Sequence, residues 1–199
     1  MSRKVDHEQR KREIAAKAMR LFSQSGYDNV SLIMIAAASG VSRTAIYRYF
    51  CSKREVMIAS IQQVTDEIRD RTVKVLATRE PAHEKLIALC HAVAEVMFEH
   101  REFVIAVFDF VVGMVRTGAD VNKAISLYTS GTRSAIKALI AHGKRAGEFP
   151  EVLIEERTAD ALYAEFESCA MRIVINTESN ADAAKVRFSD VIHAITLWK

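Results

Sequence analysis

Residues 31–50 have the pattern of two short helices joined by a tight turn. Ser31 can cap the first helix, because its hydroxyl can accept a hydrogen bond from a backbone N–H that the first helical turn leaves unpaired. Gly40 stands where the chain must leave that helix, a place that favours a left-handed backbone. Val41 supplies an apolar side chain for the turn, and Ser42 can cap the second helix. The run therefore predicts a helix-turn-helix.

The second helix of this pair, residues 42–50, is predicted to have one apolar and one polar face. At about 100° per residue, one half carries Ala45, Ile46, Tyr49 and Phe50. The other half carries Arg43, Thr44, Tyr47 and Arg48. An outward face of hydrogen-bond donors suits the major groove of DNA, where arginine can reach guanine and a threonine methyl can touch thymine. We expect Arg43 and Thr44 to meet base edges.

The charge distribution agrees with a DNA-binding N-terminus. Residues 1–54 contain eleven Lys or Arg and four Asp or Glu, a balance of +7, whereas the whole chain carries only +3. The remaining residues therefore carry −4. A basic segment that coincides with a helix-turn-helix indicates a phosphate-binding surface at one end of the molecule.

Composition favours an all-α protein. Half of the 199 residues are hydrophobic, only two are proline, and no useful alternating strand pattern occurs. The three cysteines do not suggest a disulfide framework, and we find neither an 18-residue uncharged apolar run nor a signal-peptide pattern. We expect a cytoplasmic protein with no membrane partner. Beyond the N-terminal segment, six helices are predicted at about 52–77, 81–99, 101–115, 120–146, 154–177 and 180–198.

The series Gly40-Val41-Ser42, Ile46-Tyr47, Tyr49-Phe50 and Lys53 resembles the DNA-binding signature of the tetracycline-repressor (TetR) family of transcriptional regulators. The likeness runs from about Arg10 to about Met57, and the Gly-Glu-Phe turn at 147–149 also resembles the family. The resemblance implies an N-terminal three-helix domain, residues 1–53, that binds DNA. It also implies a six-helix domain, residues 54–199, for ligand binding and dimerisation.

The resemblance also implies contacts with DNA. Tyr47 and Lys53 match family positions that contact phosphates, and a capping box of Ser52 and Glu55 is expected to start the next helix beside the DNA backbone. The predicted DNA-binding residues are Ser31, Ser42, Arg43, Thr44, Tyr47, Arg48, Tyr49 and Lys53.

The last two helices carry apolar seams at heptad spacing, and the family places its dimer interface on these helices. The seam residues are Leu162, Phe166, Cys169 and Ile173 in the first helix, and Ala184, Phe188, Val191 and Ile195 in the second. A homodimer would present two recognition helices to a palindromic operator. The alternative is that the two seams pack only within their own chain.

The apolar stretch 97–114 suggests a buried helix, and the resemblance implies a pocket for a small hydrophobic or amphipathic effector of unknown identity. The predicted lining is Met97, Phe103, Val107, Phe108, Asp109, Phe110, Met114, Tyr128 and Phe166. Core packing is the alternative for each of them. The carboxylate of Asp109 could orient a ligand or pair with Arg172.

The sequence also contains residues that suggest a second class of function. His91, Glu95 and Glu99 share a helix face, and Glu80 precedes His83 at the Glu-x-x-His spacing of di-iron bundles. Such bundles need that motif twice, and this chain has one copy, which contains a proline. A metal-dependent helical enzyme or a small-molecule carrier is therefore only the alternative. We expect instead a homodimeric repressor, not an enzyme, with no catalytic residues, metal or cofactor. The effector would release it from its operator.

Overall fold

The computed structural model describes the backbone of residues 2–196 and the side chains of residues 6–120 and 129–196. The described backbone forms eight α-helices and one short 3-10 turn, with no strand in that part of the chain. The helices are α1 (Ser2–Ser25), α2 (Leu32–Ala38), α3 (Lys53–Leu76), α4 (Ala82–Glu99), α5 (Arg101–Arg116), α6 (Val121–Arg145), α7 (Glu155–Val174) and α8 (Asp182–Thr196). The all-α prediction is confirmed, and most helix ends lie within two residues of those expected.

The chain divides into two compact units. Within the described residues, the first unit runs to Asp66 and includes Arg101–Ala124, and the second consists of Glu67–His100 and the chain from Ile125 onward. Helices α3 and α6 each cross from one unit into the other along the chain. The units thus divide the chain differently from the predicted segments 1–53 and 54–199, whose functional assignment stays a prediction.

The core of the first unit is built around α1. Ile14, Ala18 and Phe22 lie on one face of α1 and are fully buried, as the apolar spacing of that helix predicts. Helix α5 contributes its buried face to the same core. A buried hydroxyl joins α3 to α1, since Ser60 donates a hydrogen bond to the carbonyl oxygen of Ala15 at 2.9 Å. The first unit is therefore a solid helical core that includes α5.

Three α5 residues of the predicted effector pocket are buried, and the pocket itself stays a prediction. Phe103, Phe110 and Met114 are at most 6% exposed and belong to the core of the first unit, which leaves them packed against other side chains. Asp109 is exposed at the C-terminal end of α1, where its Oδ2 atom would lie 3.4 Å from a Cβ atom placed on Gly26.

The other predicted lining residues lie in different surroundings, and their role in a pocket also stays a prediction. Met97, Val107 and Phe108 are half-buried. Tyr128 lies outside the residues whose side chains are described. Arg172, proposed as a partner of Asp109, instead lies 3.5 Å from Glu178.

The heptad seams form the core of the second unit, where α8 packs on α4 and α7. Six of the eight seam residues are at most 4% exposed, namely Leu162, Phe166, Cys169, Ile173, Ala184 and Phe188. The rings of Phe166 and Phe188 meet with their centroids 4.5 Å apart. These six side chains are therefore unavailable to a partner, and their assignment to a dimer interface is corrected. Val191 is exposed and Ile195 is half-buried.

The carboxylate of Glu148 caps the start of α4. It accepts hydrogen bonds from the backbone N–H groups of Ala82 and His83, at 3.0 and 2.9 Å, and its Oε2 atom lies 2.9 Å from Nδ1 of His83. Burial would raise the pKa of Glu148, but the hydrogen bonds from His83 and Ala82 outweigh it and lower that pKa. The predicted Gly-Glu-Phe turn thus caps the N-terminus of α4, which is distant in sequence. The same carboxylate is the partner of the His83 ring.

The same turn generates a prediction about folding stability. A Cβ atom added to Gly143 would lie 2.5 Å from Cε2 of Phe149, which is 3% exposed, and 3.2 Å from Cβ of Ala82. We expect Gly143→Ala to lower the free energy of unfolding by about 1–3 kcal/mol, because the buried ring has no room to retreat.

Gly131→Ala in the same helix is the matched control. Nothing lies within 4 Å of a Cβ atom at Gly131, so alanine should raise stability by up to about 1 kcal/mol through helix propensity. Chemical denaturation of both variants measures the difference. Equal effects of the two substitutions would contradict the proposed packing of Phe149.

Candidate nucleic-acid interface

The first helix of the pair forms as its sequence predicts. Ser31 has an extended backbone, and its Oγ atom accepts a hydrogen bond from the N–H of Met34 at 3.2 Å. Ile35 and Ala36 are buried, so α2 packs through its small apolar face. Ile33 and Met34 remain exposed, at 43% and 42%.

The turn between the two halves depends on glycine. Gly40 has a φ of +66°, a conformation that is strained for side chains with a Cβ atom. The chain then folds back, because the N–H of Val41 donates to the carbonyl oxygen of Ala36 at 3.0 Å. Ser42 caps the next segment through its Oγ atom, which accepts a hydrogen bond from the N–H of Ala45 at 3.1 Å. All three predicted roles are confirmed.

Residues 42–50, here called the recognition segment, form a shorter helical element than expected. Only Ile46–Arg48 is regular, as a 3-10 turn, with turns before and after it. The N–H groups of Ile46 and Phe50 make α-type bonds to Ser42 and Ile46, whereas those of Arg48 and Tyr49 make i→i−3 bonds. A segment this short has few intrahelical bonds to gain, so its ends adopt the tighter turn.

The predicted division of the recognition segment into two faces is confirmed. Ile46 and Phe50 are buried in the core of the first unit, and Ala45 and Tyr49 are partly buried. The opposite face is exposed along its whole length and carries Arg43, Thr44, Tyr47 and Arg48. Four side chains that can form hydrogen bonds, two of them arginines, thus point to solvent from a segment whose other face is buried. Such a surface can donate hydrogen bonds to phosphates and base edges.

Tyr49 and Lys53, both in the predicted DNA-binding set, have side-chain partners that are distant in sequence. Tyr49 stacks on His7, with ring centroids 4.9 Å apart and an interplanar angle of 27°. Lys53 is half-buried, and its Nζ atom donates hydrogen bonds to the carbonyl oxygens of Tyr27 and Asp28, at 2.8 and 3.3 Å. The same ammonium lies 4.2 Å from the ring centroid of Tyr27. Lys53 therefore ties the start of α3 to the loop between α1 and α2.

The capping box at the start of α3 is confirmed, with one shift. Ser52 accepts a hydrogen bond from the N–H of Glu55 at 3.2 Å, as expected. The carboxylate of Glu55 accepts from the N–H of Cys51 at 2.8 Å, one residue earlier than the usual reciprocal bond. The chain between the recognition segment and α3 is thus fixed by two hydrogen bonds.

Sequence reasoning missed the contribution of α1 to this surface. His7, Arg10 and Lys11 contact the turn or the recognition segment, through hydrogen bonds or ring contacts. Their spacing of i, i+3 and i+4 places them on one helix face. That spacing was visible in the sequence, but a basic helix face by itself does not say which segment it contacts.

The residues of the metal hypothesis have other partners. His91 lies 3.0 Å from the carbonyl oxygen of Lys185 and from Oγ of Ser189. Glu99 pairs with Arg71, and Glu95 pairs with Lys185. In the part of the chain that the structure describes, no group of three or more His, Cys, Asp or Glu side chains could hold a metal ion. Likewise, no described helix is long and apolar enough to cross a lipid bilayer.

Fold and site together define a helix-turn-helix protein, and comparison with known proteins shows which proteins it is similar to. The family profile described as "Bacterial regulatory proteins, tetR family" matches residues 14–59. The HTH-type transcriptional regulator PksA of Bacillus subtilis is 29% identical over 93 residues, which cover 45% of each chain. The sequence match thus spans less than half of this curated relative.

Solved structures extend the likeness to the whole fold. A putative TetR-family transcriptional regulator from Rhodococcus sp. has a TM-score of 0.79 at 18% identity, over 94% of this chain and 99% of that one. A putative transcriptional regulator from Saccharomonospora viridis, in complex with choline, has a TM-score of 0.76 at 21% identity, over 94% and 96%. The chain therefore matches the TetR family by sequence in its helix-turn-helix, and its fold is that of TetR-family structures along nearly its whole length.

The contacts of Lys53 lead to a prediction about stability. Lys53→Met keeps most of the aliphatic stem but removes the ammonium group. That group donates hydrogen bonds to two carbonyl oxygens and lies over the Tyr27 ring. We expect the free energy of unfolding to fall by about 1–2 kcal/mol. Arg54→Met, which removes the adjacent exposed cation, should change it by less than about 0.5 kcal/mol. Denaturant melts of both variants without DNA make the comparison, and equal stabilities would contradict a structural role for Lys53.

Proposed function

We propose that this protein is a DNA-binding transcriptional regulator that reads its operator with the recognition segment. The observation that carries the proposal is the exposed row of Arg43, Thr44, Tyr47 and Arg48 on a segment whose other face is buried. Such a surface positions donors rigidly, which base reading requires. The +7 balance of residues 1–54 and the relatives named as transcriptional regulators support it.

Within this surface the residues have different roles. Arg43 and Thr44 follow the Ser42 cap directly and are the proposed readers of base edges. Tyr47, which is 58% exposed, and Arg48 are proposed to contact phosphates, together with the N-termini at Ser31 and Ser42. Lys53 and Tyr49 are proposed to act mainly by supporting this surface, since their side chains already have partners in the protein.

We also propose that the protein acts as a homodimeric repressor on a palindromic operator. Exposed apolar side chains that a second copy could cover lie on α7 and α8 or directly after α7: Met171, Ile175, Val186 and Val191, which are 44–58% exposed. Pairing these side chains across a two-fold axis would bury apolar area that the monomer leaves in water. Two recognition segments about 34 Å apart would then meet successive major grooves.

Release from DNA is proposed to follow binding of a small hydrophobic or amphipathic effector. The choline complex of the Saccharomonospora viridis protein supports a small-molecule ligand for this fold. The effector can change operator affinity only through its different affinity for the bound and released conformations. A screen for compounds that weaken operator binding and raise the thermal midpoint would identify it.

Sequence reading is tested by Arg43→Ala. We expect the variant to lose about 1–3 kcal/mol of binding free energy on the operator and to relax its preference at one base pair. The measurement is binding to the operator and to a set of single-base-pair variants. Arg54→Ala removes an exposed cation outside the recognition segment and should leave base preference unchanged. If Arg43→Ala weakens binding to every sequence by the same factor, Arg43 does not read bases.

The dimer surface is tested by Met171→Glu. A carboxylate placed in an apolar interface cannot be desolvated cheaply, so we expect the variant to be monomeric by light scattering and to bind the operator weakly. Val152→Glu is the matched control, because Val152 is 76% exposed but lies between α6 and α7. If the wild-type protein is monomeric both with and without DNA, the dimer proposal is wrong.

A further inference from the structure

One face of α1 holds the recognition segment at its C-terminal end. The Nε2 atom of His7 lies 3.2 Å from the carbonyl oxygen of Arg48, and since a carbonyl oxygen only accepts, Nε2 is the donor. The His7 ring also stacks on Tyr49 at 4.9 Å. One side chain thus contacts two consecutive residues of the segment, one through its backbone and one through its ring.

Two neighbours on the same face complete this contact. The guanidinium of Arg10 donates to the carbonyl oxygen of Ser39, at the end of α2, at 3.1 Å. Glu13 fixes that guanidinium from the next turn, at 2.7 Å. Lys11 places its Nζ atom 5.4 Å from the ring centroid of Phe50. The face therefore contacts the helix-turn-helix both at the end of α2 and at the C-terminal end of the recognition segment.

The recognition segment needs such support because it is short. A single 3-10 turn has poorer hydrogen-bond geometry than an α-helix, and the last carbonyl groups of a helical element have no partner within it. His7 supplies a partner to one of these groups, the carbonyl of Arg48. The exposed side chains of Tyr47 and Arg48 are carried by this same backbone, so its orientation sets theirs. Because phosphate contacts fix the register of a protein on the duplex, the same orientation decides how Arg43 and Thr44 meet the base edges.

We infer that His7 is a positioning residue for operator reading, which acts through Arg48 and Tyr49 and makes no phosphate contact of its own. The inference rests on the proposed function. If the inference is right, the first turns of α1 contribute to sequence discrimination. They do so without touching DNA, because their charged and aromatic side chains contact other residues of the protein. A phosphate-contacting His7 would instead strengthen binding to all DNA alike.

The surroundings of His7 make the idea testable apart from folding. The stack borders an open groove of about 540 Å³, lined also by Asp6, Arg10 and Glu13. His7 is not among the side chains of the hydrophobic core. Truncation at His7 therefore removes the stack and the hydrogen bond without leaving a buried cavity, and the thermal midpoint should fall by only about 2–4 °C per kcal/mol lost.

The experiment compares His7→Ala, His7→Phe and wild type on the operator and on a scrambled duplex, across a range of salt concentrations. We expect His7→Ala to lower the ratio of operator to scrambled affinity about tenfold, from the loss of one stack and one hydrogen bond. The salt slope should not change, because His7 contacts no phosphate and Arg48 keeps its charged guanidinium; only the register in which the base readers are held should change. His7→Phe keeps the stack but not the donor, so it should restore part of the ratio.

Gln9→Ala is the control within α1, since the Gln9 side chain is exposed and hydrogen-bonds to Glu13 of the same helix. It should leave the affinity ratio at the wild-type value. An unchanged ratio for His7→Ala overturns the inference. So does a salt slope lower by about one, which would mean a phosphate contact. A fall in the thermal midpoint of more than about 10 °C, which His7→Phe does not rescue, also overturns it, because the role would then be structural.

Failure of the proposed function gives a different result. If wild type binds every duplex alike, the protein does not read sequence, and both the proposed function and this inference are wrong. If wild type discriminates and His7→Ala discriminates equally well, the proposed function stands and only the role of His7 is rejected.

Discussion

The burial of Ile46 and Phe50 is the constraint on which the candidate DNA surface depends. The recognition segment has one 3-10 turn and few hydrogen bonds of its own, so its conformation cannot come from local structure alone. These two side chains insert into a core that α1, α2, α3 and α5 build together. Because the buried face is fixed, the opposite face is also fixed, and Arg43, Thr44, Tyr47 and Arg48 are held in water.

The roles that depend on local chemistry could be predicted from the sequence. Ser31, Gly40 and Ser42 act within a few residues of their own positions, through caps and a left-handed turn, so residue type and spacing determine them. The two faces of residues 42–50 follow from helical periodicity and did not require an α-helix of full length. The family resemblance was carried by these same residues.

The roles that depend on distant partners could not be predicted in this way. Helical periodicity correctly predicts an apolar face on α7 and on α8. It does not say whether such a face packs against its own chain or against a second copy. Phe103, Phe110 and Met114 pack as core for the same reason. Glu148 caps a helix that starts 66 residues earlier, and Lys53 binds carbonyl groups across 26 and 25 residues. Nothing in their local sequence indicates those contacts.

The protein is therefore proposed to read DNA with a recognition segment that is held in place by contacts from other helices. Lys53 secures the start of α3, and Tyr49 rests on α1. The most direct test is selection of bound duplexes from a random pool by the purified protein. The account predicts an enriched inverted repeat whose half-sites are centred about 10 base pairs apart, or a multiple of that distance. No enriched sequence, or a single half-site without a repeat, would contradict it.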